Sequence, residues 1–384
     1  MNYDVIVVGL GAMGSASIYE LSRRGARTLG IDQFEPPHTL GSTHGRTRII
    51  REAYFEHPLY VPLVRRAYEL WDELERAAGQ TLFHRTGGLM IGREESALVA
   101  GSQLSAVEHA VPHEMLTAAE VRRRWPAFDP PDSHVALFEL RAGLLLPEAC
   151  VGTYLELARR NGATVNVGER VLDWSADGER VRVRTDRAAY HAAHLVFTSG
   201  AWLPQLVRDV SLPLAVERQM FHWFEPTARR DLHRAERCPL ALWEFEPDRM
   251  VAMFPDLGDG VKTGVHHEGE TTDPAMVRRT TSAEEDAGIR AILARLMPDA
   301  AGRQVEARVC LYTNTPDRDF LIDAHPQHAN VFLASPCSGH GFKFASAIGE
   351  IVAELAAHGE SRFDLSPFRL ARFGEESYVL RPAS

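Results

Sequence analysis

The sequence predicts an α/β fold in which a Rossmann-like domain is joined to a second domain built on a mainly antiparallel sheet. The first domain is indicated by a buried strand, a glycine-rich turn and a helix that follow one another between Asp4 and Asp32. The second is indicated by residues 212–312, where strands follow one another and a helix interrupts them. Buried strands return in the final third, so the Rossmann-like domain must be discontinuous in sequence.

The first stretch has the order of a dinucleotide-binding unit. Its strand is continuously apolar, which suits a parallel strand buried on both faces. Gly9 permits the tight turn, Gly11 lets the backbone approach a pyrophosphate, and Gly14 lets the helix pack closely on the strand. We expect the phosphates at the helix start near Ala12 and a ribose hydrogen-bonded to Asp32. The strict order disfavours a glycine turn that binds nothing, but the stretch alone does not separate FAD from NAD.

Hydrophobic periodicity and the residues typical of helix ends predict the remaining helices and strands. Helical spacing, capping boxes and glycine or proline stops predict helices over residues 12–24, 61–78, 95–111, 117–125, 147–160, 282–297 and 344–358. Apolar or alternating runs predict a strand that follows Gly25 and ends at Asp32, and further strands over residues 4–8, 87–92, 163–167, 171–174, 180–185, 195–198, 215–224, 240–245, 250–254, 260–265, 305–312, 320–323 and 331–334. We therefore expect a nucleotide-binding domain of residues 1–80, 145–211 and 313–384, and a substrate domain of residues 81–144 and 212–312.

Length, composition and net charge indicate a globular protein and argue against nucleic-acid and membrane partners. A chain of 384 residues is too long for one small core, and its 45% hydrophobic and 24% charged residues are typical of a globular protein. The net charge of -10 argues against a nucleic-acid partner. The sequence shows neither an apolar run of membrane-spanning length nor the features of a signal peptide, so we expect a cytoplasmic protein with no membrane partner.

The four cysteines predict no metal site. Cys150, Cys238, Cys310 and Cys337 show no CxxC spacing and no dense framework, so neither a zinc site nor a disulfide scaffold is indicated. Cys310 lies in an alternating strand, where a free cysteine is most often an inert buried thiol.

Two loops carry unusual chemistry for an acidic chain. Residues 41–51 place three arginines and a histidine in a loop with two glycines, directly after the dinucleotide unit. A solvated basic loop is the ordinary interpretation of such a run, but its position favours a functional one. Residues 335–343 form a second glycine-rich loop between a strand and a helix, which makes an anion-receptive helix start.

These motifs resemble the monomeric sarcosine oxidase and N-methyltryptophan oxidase family. The similarity rests on the glycine fingerprint and on residues 41–51, 309–313 and 338–343, and it extends from Asp4 to about Phe368. The resemblance implies a two-domain fold of the D-amino-acid oxidase type and FAD rather than NAD. It also implies a flavin attached covalently through the sulfur of Cys310, with Cys337 as the second choice. The implied cofactor contacts are Gly9, Gly11, Ala12, Met13, Gly14, Asp32, Gln33, Ser42, Thr43, Thr47, Gly200, Cys310, Gly339, Gly341, Phe342 and Lys343.

The resemblance also implies a reaction. A secondary amino acid, O2 and water would give the dealkylated amino acid, an aldehyde and hydrogen peroxide, in a monomer that acts on small molecules. Arg51 and Lys343 match the pair that anchors the carboxylate, and a guanidinium with an ammonium suits that task. Lys262 matches the lysine that activates dioxygen. The resemblance also implies that His44, Arg48 and His266 belong to the active site. His44 and Arg48 would add positive potential beside the flavin, and His266 would lie in the substrate cavity.

The substrate pocket departs from the sarcosine pattern. Ala252 stands where a tyrosine usually closes over the substrate, and Trp243 where a smaller side chain is expected. These changes predict an N-methyl or cyclic secondary amino acid bulkier than sarcosine. Other functions that the motifs leave open are an NAD(P)-dependent dehydrogenase, a non-catalytic flavin-binding redox sensor and a tRNA-modifying amine oxidase.

Overall fold

The structure is a computed structural model that describes residues 2–374, and it is organised around a central N-terminal strand. This strand, β1 (Asn2–Val8), pairs in parallel with β2 (Thr28–Ile31) on one side and with β12 (Ala189–Phe197) on the other. The first sheet has eight strands: β1 (Asn2–Val8), β2 (Thr28–Ile31), β9 (Thr164–Asn166), β10 (Val171–Ala176), β11 (Val181–Thr185), β12 (Ala189–Phe197), β18 (Leu321–His325) and β19 (His328–Ser335). Because β12 also pairs in parallel with β19, distant parts of the chain complete this sheet.

A second sheet also has eight strands: β5 (Gly88–Gly92), β6 (Glu114–Thr117), β7 (Val135–Glu139), β13 (Ala215–Phe224), β14 (Leu240–Glu246), β15 (Arg249–Phe254), β16 (Val261–His266) and β17 (Gln304–Asn314). Its pairs are antiparallel apart from β14 with β5, which confirms the mainly antiparallel prediction. A third, small sheet joins β3 (Arg48–Ile50), β4 (Phe83–Arg85) and β8 (Gly143–Leu145).

The helices are α1 (Ala12–Arg23), α2 (Tyr60–Ala78), α3 (Ala97–Glu108), α4 (Ala118–Arg124), α5 (Pro147–Arg160), α6 (Leu203–Leu206), α7 (Ala283–Leu296) and α8 (Ala345–His358). Helix α1 packs closely on its strand because Gly14 has no side chain. A Cβ atom there would lie 1.8 Å from the carbonyl oxygen of Gly9, far inside contact distance. Gly9 itself has a φ of 93°, which a tight turn requires and glycine adopts readily. The roles predicted for these two glycines are confirmed.

The predicted elements differ from the structure mainly at short strands. β3, β4 and β8 are three residues each and were not predicted, because they have no alternation of their own and exist through mutual pairing. The strands β6 and β7 and the four-residue helix α6 were not predicted either. The helix predicted over residues 95–111 is shorter: Ser96 caps it by accepting from the amide of Val99. Phe342–Phe344 forms a 3-10 turn, so the α-helix after the second glycine loop starts at Ala345.

The domain boundaries stay a prediction. Strands from 81–144 and from 212–312 do share the second sheet. Residues 375–384 of the predicted third nucleotide-binding segment lie outside the described residues.

Candidate active site

A cavity of about 600 Å³ runs from the first glycine turn to the second sheet. Most of the predicted cofactor contacts line it, namely Gly9, Gly11, Ala12, Met13, Asp32, Gln33, Ser42, Thr43, Gly200, Gly339, Gly341, Phe342 and Lys343. Three others, Gly14, Thr47 and Cys310, lie outside its lining. The structure thus brings together loops that are far apart in sequence.

At the nucleotide end, Asp32 organises the turn as well as facing the cavity. One carboxylate oxygen accepts from the amide of Leu10 at 2.7 Å and the other from the amide of Phe34 at 2.8 Å. Burial raises the pKa of this carboxyl group, and the two amides oppose that rise. A carboxylate has further lone pairs, so a ribose hydroxyl could still donate to it. The expected role of Asp32 remains compatible with its surroundings.

The loop of residues 41–51 is held by hydrogen bonds to two side chains, those of Lys262 and Glu148. Lys262 donates from Nζ to the carbonyl oxygens of Gly45 at 2.9 Å and Thr47 at 2.8 Å, and to the Thr47 hydroxyl at 3.1 Å. Glu148 accepts from the amides of Gly45 at 2.8 Å and Arg46 at 3.1 Å. Lys262 and Thr47 therefore lie behind the loop rather than in the cavity wall.

Among the described residues, no carboxylate forms an ion pair with Arg48 or Lys262, whereas the nearby Arg308 pairs with Glu306. His44 is 1% exposed, and neither of its ring nitrogens has a hydrogen-bond partner. Burial, assisted by Arg48 and Arg308, lowers the pKa of His44 to about 3, so the ring is neutral. Burial and Arg48 also lower the pKa of Lys262 well below its ordinary value. An anionic ligand would relieve this mutual repulsion, which fits a cofactor that carries a pyrophosphate and can hold negative charge on its ring.

Unpartnered polar atoms also fit FAD. The hydroxyl oxygens of Ser199 and Thr313 are buried without a partner, and both residues line the cavity. Buried polar groups normally have a hydrogen-bond partner, so atoms of this kind mark places where a bound group would donate or accept.

Cys310 lies in the wall behind the cavity. It is 1% exposed and packs with Phe221 and Trp223, while its neighbours Leu311 and Tyr312 reach the cavity. Burial raises the pKa of the thiol, although the cations of Arg48 and Lys262 oppose that rise. The cationic surroundings expected of a reactive thiolate are therefore present, but burial outweighs them in the free protein.

The two predicted carboxylate anchors meet at one tyrosine. The guanidinium carbon of Arg51 lies 4.3 Å from the ring centre of Tyr54, and Nζ of Lys343 lies 5.1 Å from it. Lys343 also donates to the carbonyl oxygen of His340 at 2.6 Å. Burial and the charge of Arg51 lower the pKa of Lys343 to about 7. Both residues line the cavity, so an anion between them would be bound by two buried cations.

The prediction missed several polar residues at this end. Glu56 accepts from Nη2 of Arg51 at 2.6 Å, and Tyr54 pairs with Nδ1 of His340 at 2.6 Å. Tyr312 lies 3.0 Å from Nδ1 of His266, and both line the cavity. No sequence motif marks Glu56. The chain contains two lysines, Lys262 and Lys343, which were both predicted for the site, and both are buried here.

The structure corrects the prediction that Trp243 belongs to the substrate pocket. Alternate residues of β14 face opposite sides of the sheet, and Leu242 lines the cavity whereas Trp243 does not. The indole packs on the far side with Leu293 of α7, and its Nε1 donates to Nδ1 of His134 at 3.1 Å. Ala252 does line the cavity, as expected.

A possible metal cluster lies elsewhere. Asp209, His325 and His328 offer ligand atoms within 4.8 Å of one another. However, Nδ1 of His325 accepts from the amide of Gln327 at 3.2 Å, so a neutral ring carries its proton on Nε2, which lies 3.1 Å from Asp209. This arrangement favours a histidine–aspartate pair over a metal ligand set.

Comparisons with known proteins agree with this geometry. The model of the FAD dependent oxidoreductase family, DAO, matches residues 4–355. Monomeric sarcosine oxidase from Streptomyces avermitilis is 43% identical over 370 residues, which cover 95% of this chain and 96% of that protein. N-methyl-L-tryptophan oxidase from Salmonella heidelberg is 36% identical over 377 residues, covering 98% and 100%.

A solved structure shares the fold. L-proline dehydrogenase from P. horikoshii superimposes with a TM-score of 0.85 at 21% identity and covers 99% of each chain. Among residues 2–374, no helix is both long and apolar enough to cross a membrane. The family match over most of the sequence, together with relatives of this identity, shows that the chain belongs to the FAD dependent oxidoreductase family.

Proposed function

We propose that this protein is an FAD-dependent oxidase of secondary amino acids, N-methylated or cyclic, that reduces O2 to hydrogen peroxide. From an N-methylated substrate it yields the dealkylated amino acid and an aldehyde, and from a cyclic substrate the imine of the ring. The observation that carries the proposal is the convergence of Arg51 and Lys343 on Tyr54 at one end of a cavity whose other end is the glycine turn. An anion bound by this pair would lie in the same cavity as a dinucleotide bound at the glycine turn. The names of the relatives support the same chemistry.

The chain's own residues would bind and orient the amino acid. Arg51 offers a planar fork for the carboxylate, and Lys343 adds a point charge. FAD, when bound, would supply the redox chemistry: it would take a hydride equivalent from the carbon next to the substrate nitrogen, which leaves a C=N bond, and pass the electrons to dioxygen. His266 and Tyr312 line the cavity and would contact the amine or its substituents.

Three site assignments belong to the same proposal. Lys262 supplies the positive charge that favours reduction of dioxygen. Cys310 carries the flavin covalently, since the neighbouring cations favour its thiolate once the cofactor fills the cavity. His44 and Arg48 favour negative charge on the reduced ring. We also propose a cytoplasmic monomer, as expected from the sequence.

The substrate side chain is proposed to be larger than the hydrogen of sarcosine. Ala252 leaves room in a wall that is otherwise formed by apolar residues, including Leu242, Met250 and Phe254. An apolar wall binds methylene and aromatic groups through burial of their surface.

A peroxide screen of the purified holoenzyme tests this function. Sarcosine, N-methylated amino acids with larger side chains and pipecolate would be supplied with O2, and hydrogen peroxide would be measured. We expect peroxide with at least one of them and flavin absorbance in the protein. Peroxide with none of them, despite bound flavin, would favour the redox sensor, and absence of flavin absorbance would favour the NAD(P)-dependent dehydrogenase.

A further inference from the structure

Glu139, the last residue of β7, is a buried carboxylate that holds the turn after Arg51. One of its oxygens accepts from the amide of Glu52 at 2.8 Å, and the other accepts from the amide of Ala53 at 2.8 Å. Its exposed fraction is 1%, and it does not line the cavity. Charge-assisted bonds of this kind are short and directional, so they fix the backbone of this turn firmly.

The same turn sets the position of the Arg51 guanidinium. Nη1 of Arg51 donates to the carbonyl oxygen of Ala53 at 2.9 Å. The side chain therefore takes its position from the same backbone residue whose amide Glu139 holds. Residue 54, which follows at once, supplies the ring shared by Arg51 and Lys343.

We propose that Glu139 is a positioning residue for recognition of the substrate carboxylate. By anchoring the amides of residues 52 and 53, it presents the Arg51 guanidinium beside Lys343 in the geometry that a carboxylate requires. This inference rests on the proposed function, because it takes the carboxylate of an amino acid as the ligand of Arg51.

The charges around Glu139 set its response to pH. Burial raises the pKa of Glu139 to about 7, the two amides and Arg51 oppose the rise, and Glu52 adds to it. Glu52 is itself paired with Arg65 and Arg141, and Tyr68 is the other titratable group that Glu139 affects. Below about pH 7 the carboxyl group takes up a proton and accepts less well, which would loosen the turn.

The test is the binding of acetate, a minimal carboxylate, to the holoenzyme, followed by flavin absorbance. In Glu139→Gln we expect acetate to bind roughly tenfold more weakly, because a carboxamide replaces a two-oxygen acceptor with a single one. A purely electrostatic effect has the opposite sign, since removal of a negative charge near Arg51 would tighten acetate binding. Unchanged or tighter binding therefore overturns the proposal.

The pH dependence of acetate binding distinguishes a positioning role of Glu139 from a general loss of stability in the variant. Acetate binding to the unmodified holoenzyme should weaken as the pH falls through about 7, and this acidic limb should be missing in Glu139→Gln. Glu75→Gln is the matched control, because Glu75 accepts from the amides of Leu82 at 2.6 Å and Phe83 at 2.9 Å in another loop. We expect this control to bind acetate normally.

If Glu139→Gln does not fold, the test is whether acetate binding to the unmodified holoenzyme weakens as the pH falls through about 7. Binding that does not weaken there overturns the proposal. Failure of the unmodified holoenzyme to bind acetate at any pH would overturn both the inference and the proposed carboxylate site. Normal binding in the unmodified protein and in Glu139→Gln alike would overturn only the role of Glu139.

Discussion

Arg51 and Glu56 form an ion pair of 2.6 Å in the wall of the cavity, and the arginine side chain of that pair is 2% exposed. Burial opposes ionisation of Glu56, but the charges of Arg51, His340 and Lys343 lower its pKa below the ordinary value. Glu56 therefore already supplies, from within the protein, the negative charge that a substrate carboxylate would bring. A carboxylate ligand must displace or share this partner.

Removing the competing carboxylate should strengthen binding of carboxylate ligands. In Glu56→Gln, Arg51 loses its internal partner, and we expect acetate to bind about tenfold more tightly. The Kd measured from flavin absorbance checks this. Glu69→Gln removes an exposed partner of Arg66 and should leave the Kd unchanged. Weaker binding in Glu56→Gln would mean that the pair supports the site rather than competing with the ligand.

Lys343 should make binding decline at alkaline pH. Its pKa of about 7 lies below the ordinary value of a lysine, so the ammonium is present below that pH and is lost as the pH rises through it. The affinity for acetate should fall above about pH 7, by up to tenfold per pH unit. Lys343→Met should bind acetate weakly, with this alkaline decline absent. A decline that persists in Lys343→Met would assign it to another group.

Ala252 should determine how large a substrate fits. Ala252→Tyr places a ring in the cavity, so kcat/KM for bulky N-methylated amino acids should fall by roughly tenfold or more relative to that for sarcosine. Trp243→Phe is the control on the opposite face of the sheet. It should lower the free energy of unfolding by about 1–3 kcal/mol and leave the substrate preference unchanged. Equal losses for small and bulky substrates would contradict the role of Ala252.

Lys262 should affect dioxygen more than the amino acid. In Lys262→Met we expect reoxidation of the reduced flavin to slow by about 100-fold, with a much smaller effect on flavin reduction. Stopped-flow absorbance measures the two steps separately. Glu148→Gln loosens the same loop but keeps the lysine side chain, and reoxidation should slow far less than in Lys262→Met. Equal slowing of both steps by Lys262→Met would indicate that this lysine mainly holds the loop.

Cys310 should determine whether the flavin stays with the protein. The unmodified protein should remain yellow after acid precipitation, whereas Cys310→Ser should release its flavin. Cys337→Ser is the matched control, since Cys337 lines the cavity beside the second glycine loop. Release from Cys337→Ser alone would move the attachment to that residue.

The elements that could be predicted from sequence were those whose signals are local. The strand, turn and helix around Gly9 and Gly14 were correct because the turn geometry and close packing require glycine at both positions. The capping boxes at Thr117 and Ser282 placed the starts of α4 and α7, and both boxes are present in the structure. Such features depend on few residues and on little of the surrounding fold.

The features that escaped prediction depend on register or on distant partners. Trp243 was assigned to the cavity although it faces the other side, because a shift of one residue along a strand reverses the face. Glu139 and Glu56 have no sequence motif, and their roles arise from contacts with a turn that only the folded chain creates. The resemblance named Arg51 and Lys343, which both line the cavity, but it did not name the tyrosine between them.

The confinement of lysine to two buried positions has a practical consequence. Because both lysines are buried and arginine is the residue at every other lysine-or-arginine position, the protein presents no lysine ammonium on its surface. Reagents that acylate amines would find little to modify beyond the N-terminus, and cross-linking or immobilisation through surface lysines would fail. Any slow acylation of a side chain would instead report directly on access to the interior, so mass spectrometry of such labelling becomes a probe of how the cavity opens.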